Sequence, residues 1–107
     1  LDRKEFYDCI NKIYKQMKKG AIIYASMWSN KHTYYEYSKE TENDWLREIK
    51  FKGKRFNLSS YHAFFIKNKK ELCSKFKNFK PIHIGRYFMQ LEENETNNDH
   101  FIFIGVK

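Results

Sequence analysis

The sequence predicts an α+β domain: a mostly antiparallel sheet of about five to six strands, with an N-terminal helix and a second helix near 69–78 packed on it. Three observations predict it. Apolar residues recur at helical spacing near the start of the chain and again after residue 68. The stretches between and beyond are short, and rich in aromatic and β-branched residues. Short polar turns separate them, which suits antiparallel returns rather than long crossovers.

Asp2 and Glu5 have the spacing of a capping box, and Phe6, Ile10, Ile13, Tyr14 and Met17 form one stripe. With Lys18, Lys19 and Gly20 as the stop signal, a helix is expected over 3–19. AIIYASMW, 21–28, reads as a mostly buried strand, and Ser29–Lys31 as a turn. TYYEY, 33–37, has strand propensity and is expected to return antiparallel, followed by an acidic loop over 38–44. Trp45 and Leu46 fit either a helical turn started by Thr41 or Asn43, or the beginning of a strand. Residues 47–52 and 54–58 read as a hairpin around Gly53. YHAFFI, 61–66, reads as a strand, because Asn68 and Glu71 mark a better helix start for 69–78. Strands over 82–91 and 100–106 follow, joined by a polar loop at 92–99.

The 107 residues fit a single domain, 1–107, read as cut from a longer chain because the first residue is Leu1. With 41% hydrophobic and 19% aromatic residues the chain can bury a core, which argues against intrinsic disorder. Cys9 and Cys73 lie in unrelated contexts and make neither a disulfide framework nor a zinc site. Both are expected buried and reduced, in an intracellular protein, nuclear or cytoplasmic. No apolar run nears the roughly 18 residues of a membrane span.

The net charge is +8, and it is segregated. From Lys50 to Lys80 ten basic residues face the single acid Glu71, whereas 36–48 and 92–99 are acidic. Such a field orients an anionic polymer. The function expected is a nucleic-acid-binding module without catalytic activity, with RNA or single-stranded DNA favoured because tyrosines are plentiful for stacking. Its contact residues are Lys50, Lys52, Lys54 and Arg55 on the hairpin, Lys67, Lys69 and Lys70 at the second helix, and Tyr61, His62 and Arg86. The alternative is a protein–protein interaction domain of a larger assembly, using the acidic segments and exposed tyrosines. Partners are thus nucleic acid and other subunits, with no membrane, no cofactor and no metal.

One catalytic arrangement suggests itself, His62 and His83 with Arg86 for acid–base cleavage of RNA. Their spacing matches no catalytic signature. No phosphate loop, dinucleotide fingerprint or nucleophile elbow occurs.

Overall fold

The computed structural model describes residues 2–49, 61–91 and 96–107. The hairpin expected around Gly53 lies outside them, as do Lys50, Lys52, Lys54 and Arg55. The described residues form three helices and two antiparallel sheets of three strands each. The α+β class stands, and the expected strands divide between two sheets.

Helix α1, Arg3–Gln16, starts as the sequence predicts. The Asp2 carboxylate accepts from Glu5 N at 2.8 Å, and the Glu5 carboxylate accepts from Asp2 N at 3.3 Å. Phe6 and Ile10 are buried. Cys9, expected inside, lies off that stripe and is exposed, while Cys73 is half-buried, and both thiols are free. The helix stops three residues early because Met17 turns extended and Gly20 takes a positive φ of 87°.

Strand β1, Ile22–Trp28, alternates rather than being buried throughout: Ile23, Ala25 and Met27 face the core, and Ile22, Tyr24 and Ser26 face outward. The next segment departs from its strand propensity. Residues Thr33–Glu36 form a short helix, α2, because His32 accepts a hydrogen bond from Tyr34 N at 3.0 Å and caps it.

Strands β2 (Ser38–Glu40), β3 (Arg47–Ile49) and β4 (Tyr61–Ala63) make the small sheet, in that order. Between β2 and β3 the chain makes a turn, neither helical nor extended. Thr41 Oγ1 donates to the carbonyls of Asn43 and Leu46, and Asn43 Oδ1 accepts from Trp45 N, which tucks the indole inward. Strand β4 is shorter than 61–66 because Ile66 leaves the small sheet for the other. Ile66 N donates to Trp28 O at 2.8 Å and Asn30 N to Ile66 O at 3.0 Å, forming a parallel bridge at Ser29.

Helix α3, Lys69–Lys75, is capped by Asn68, which accepts from Glu71 N at 2.9 Å. It ends at Phe76, so Asn78 lies beyond it. Strands β5 (Lys80–Leu91) and β6 (Thr96–Val106) form a long hairpin. The large sheet has the order β1-β6-β5, with β1 antiparallel to β6 and β1 at one edge. The polar segment expected as a loop is shorter, since Asn97, Asn98 and Asp99 pair within β6.

Helices α1 and α3 cover one face of this sheet. Phe6, Ile10, Leu72, Phe76, Phe79, Phe101 and Phe103 fill the layer, with Trp45 and Ile66 closing it. Phe76 stacks on Phe103 with ring centres 4.7 Å apart and planes 14° apart. Gly105 sits where any Cβ would meet the Phe103 ring at 2.5 Å. The opposite face carries Ile22 and Tyr24, 63% and 64% exposed, beside half-buried Ile102, Ile104 and Val106.

Candidate functional site

Polar side chains converge where β1 ends and β6 begins. Ser26 and Ser29 come from the β1 end, His32 from the cap of α2, Arg86 from β5, and Asn98, Asp99 and His100 from β6. The β1–β6 register places Trp28 opposite His100, so Ser26 lies diagonally from His100 on the same face.

The hydrogen bonds fix the tautomers. His32 Nδ1 accepts from Tyr34 N, so its proton sits on Nε2 and is donated to Asn98 Oδ1 at 3.0 Å. The same Asn98 oxygen accepts from His100 Nε2 at 2.5 Å. His100 Nδ1 is then a lone pair, and it accepts the Ser26 hydroxyl at 2.9 Å. Burial pushes both imidazoles below the usual histidine value. For His32, the Asn98 hydrogen bond opposes burial, while His100 reinforces it and Asp99 opposes it. For His100, Asp99 opposes it. Both rings are therefore neutral at pH 7, and Asn98 presents one base, His100 Nδ1, toward an exposed hydroxyl.

A second half of the cluster is ionic. Asp99 is 4% exposed. Arg86 Nη2 donates to its two oxygens at 2.7 and 2.8 Å, and the Ser29 hydroxyl donates at 2.6 Å. Burial acts to raise the Asp99 pKa, but the hydrogen bonds from Arg86 and Ser29, with the charges of Arg86 and Lys31, outweigh it and hold the carboxyl below its ordinary value. Aromatic rings wall the cluster: Trp28 lies against His32, Tyr34 and Phe65, and Tyr87 meets His100 edge-on.

Two clefts adjoin the small sheet. One, of about 270 Å³, lies between Ser26, Met27 and Trp28 on one side and Leu46, His62 and Phe64 on the other. The larger, of about 470 Å³, lies between Arg3 on α1, Trp45 in the β2–β3 turn and Lys67 and Lys75 near α3. Among the described residues no group of three or more His, Cys, Asp or Glu is placed to hold a metal ion, and no helix is long and apolar enough to cross a membrane.

Of the contact residues expected from sequence, the described ones lie on β4, around the start of α3 and on β5. Arg86 belongs to the cluster, but its guanidinium is committed to Asp99. His62 lines the smaller cleft, beside exposed Tyr61 on β4. Lys67, Lys69 and Lys70 are exposed at α3, and Lys67 also lines the larger cleft. His62 and His83 lie on different sheets. Lys75, one of the ten basic residues between Lys50 and Lys80, is only 8% exposed.

The sequence reading missed Ser26, Ser29, His32, Asn98, Asp99 and His100 as a group. A signal was present: serines at the end of an apolar run, and Asn98-Asp99-His100 directly before another. Taking 92–99 as a loop concealed it.

No protein-family model matches the sequence, and no curated protein does. A solved structure does match the fold. It is a SAM-dependent methyltransferase from Methanosarcina mazei, with a TM-score of 0.72 and 16% sequence identity over 99% of this chain. The chain spans 52% of that methyltransferase. The likeness is one of fold.

This finding corrects the functional expectation. The chain was expected to be a non-catalytic nucleic-acid-binding module, or else a protein-interaction domain, and not an enzyme. Nearly all of it instead matches the fold of about half of that solved structure. Lysine excess misled because charge composition reports on a surface, whereas fold and site chemistry are set by residues such as Asp99 and His100 that composition hides.

Proposed function

We propose that this chain is the acceptor-handling portion of a methyltransferase-like fold, with His100 as the base that takes the acceptor's proton. The observation that carries the reading is the likeness in fold over 99% of the chain. Two further features support it. The outward face of the large sheet is apolar yet exposed at Ile22 and Tyr24, as expected of a layer that packs against more of the same fold. Strand β1 is an edge strand of its sheet: among the described residues its second side is met by Ile66 at the Trp28–Asn30 end, and no second strand of that sheet pairs there.

The described residues do not fit S-adenosylmethionine on their own. Nucleoside cofactors in α/β folds sit at a glycine-rich turn from strand to helix, where backbone N–H groups approach them. The four glycines, Gly20, Gly53, Gly85 and Gly105, are far apart. The turn from β1 to α2 is closed by Ser29, fully buried on Asp99. Cofactor binding is assigned to a complementary portion of the fold, and proton handling to this one.

A hydroxyl or amine acceptor must lose a proton as it forms its new bond. His100 suits that task. Its Nδ1 is unprotonated, its ring is held by Asn98, and its present donor, Ser26, is exposed, so an acceptor can take the place of the serine hydroxyl. Asn98 keeps the proton of Nε2 in place while Nδ1 works.

The test is transfer of a labelled methyl group from S-adenosylmethionine by the protein carrying this chain, across hydroxyl, amine and carboxylate acceptors. His100→Gln is expected to lower kcat about 100-fold with the fold unchanged. The pH profile of kcat/KM is expected to bend below 6.5 in the wild type. No labelled product with any acceptor ends the methyl-transfer reading. Full turnover in His100→Gln ends the assignment to His100.

A further inference from the structure

Lys75 is a charged side chain out of place. It is 8% exposed, and its ammonium lies 4.0 Å from the centre of the Trp45 ring. Among the described residues it has no hydrogen-bond or ion-pair partner. Burial lowers its pKa, the charge of Glu71 opposes this, and the charge of Arg3 adds to it. Arg3 approaches the same indole, its guanidinium 5.7 Å from the ring centre, and it too lacks an ion-pair partner among the described residues. Two cations thus approach one indole and repel each other. The nearby acid Glu71 is turned toward the backbone, its carboxylate accepting from Lys67 N at 3.4 Å. Trp45 is 9% exposed, and its Nε1–H has no acceptor among the described residues.

A buried ammonium with only a ring for company is an incomplete arrangement. An aromatic face offsets part of the desolvation of a cation, and an anion offsets much more. All three residues line the cleft of about 470 Å³, a volume in the range that holds small molecules. Its walls include the rings of Tyr35, Phe64 and Phe65. Its charged lining sets Arg3, Arg47, Lys67 and Lys75 against Glu40, Asp44 and Glu71, a near balance that disfavours a polyanion and leaves room for a single negative group.

We propose that this cleft binds a small acid with one anionic group and a flat apolar body, its carboxylate or phosphate oxygens held by Lys75 and Arg3 beside Trp45. The oxyanion completes the ion pair that the fold leaves open, and the aromatic walls take the body. This site is separate from the Ser26–His100 pair and holds independently of methyl transfer.

The experiment follows the two tryptophan indole N–H resonances, assigned with Trp28→Phe, during titration with benzoate and with phenyl phosphate at constant ionic strength. Benzamide is the neutral control. The Trp45 signal is expected to shift saturably with at least one anion and not with benzamide, while Trp28 stays still. Lys75→Met is expected to weaken the anion about tenfold or more, and Arg3→Gln severalfold. A response to benzoate alone identifies a carboxylate ligand, and a response to phenyl phosphate alone a phosphate ester. No saturable shift with either anion overturns the proposal, as does equal affinity in Arg3→Gln. Arg3 is exposed, so that variant decides the matter even where Lys75→Met fails to fold.

Discussion

Arg86 holds both carboxylate oxygens of Asp99 from a single nitrogen, at 2.7 and 2.8 Å, across the β5–β6 ladder. The two partners differ in environment: the Asp99 side chain is 5% exposed and that of Arg86 38%. Removing the arginine therefore strands a buried charge with only Ser29 to satisfy it. Arg86→Met is expected to cost about 1–3 kcal/mol at pH 7, less than for a fully buried pair because water reaches the guanidinium. The folded pKa of Asp99 lies below its ordinary 3.8, so its contribution is present above that value and lost as pH falls through the folded pKa. Thermal melts of wild type and variant should differ at pH 7 and converge in strong acid. A constant gap at every pH would show that the loss is one of packing.

The neutral histidine pair gives stability a second pH dependence. His32 and His100 both have folded pKa values below 6.5. The unfolded chain binds protons first as pH falls, so the contribution is complete above 6.5 and is lost on acidification below it. Urea midpoints of the wild type should fall between pH 7 and pH 5. His100→Gln should flatten that slope. An unchanged slope would place the titrating groups elsewhere.

Gly105 is fixed by a close approach rather than by an unusual backbone. A Cβ there would lie 2.5 and 2.9 Å from two Phe103 ring atoms and 3.1 Å from Phe79 Cβ. Phe103 is fully buried and stacked on Phe76, so the ring has nowhere to go. Gly105→Ala is expected to destabilise by about 1–3 kcal/mol, the usual cost of overpacking. Denaturant unfolding reads this directly, and a neutral result would mean that the Phe103–Phe76 stack can slide.

Lys107 closes the far end of the molecule. Its ammonium donates to Tyr14 O at 2.7 Å and Met17 O at 2.8 Å, two carbonyls at the C-terminal end of α1, and lies 4.5 Å from the centre of the Tyr14 ring. Lys107→Met keeps the stem and loses both bonds, at an expected cost of about 1–2 kcal/mol. Amide exchange should quicken in the last turn of α1 and stay unchanged in the β5–β6 hairpin. Uniform quickening would indicate global rather than local loss.

Much of the fold was legible because it follows local rules. The caps at Asp2 and Asn68, the stripe through Phe6 and Ile10, and the two apolar strands at the end are written in spacing alone. What was hidden depends on partners distant in sequence. Thr33–Glu36 has the composition of a strand, and a single side-chain cap from His32 turned it helical. Ile66 looks like the end of β4, but it bonds to Trp28 and Asn30. The site was hidden more deeply. Asp99 and Lys75 read as solvent-facing charges, and no periodicity announces that one meets Arg86 and the other an indole. Arg86 was the one cluster residue picked from sequence, as a phosphate contact, and its bond to Asp99 could not be read there.

The pairing of β1 with β6 also sets an order of events in time. Ile22 meets Val106 and Trp28 meets His100, so each contact closes a loop of more than seventy residues. Strands β5 and β6 are neighbours in sequence and zip from Leu91 and Thr96 outward. Loop-closure entropy puts the hairpin early and the first strand late. Substitutions in the hairpin should slow folding, while substitutions at Ile23 or Ala25 should chiefly speed unfolding. The strand that arrives last is also an edge of the sheet, so the slow step in folding and the first strand to fray belong to the same element.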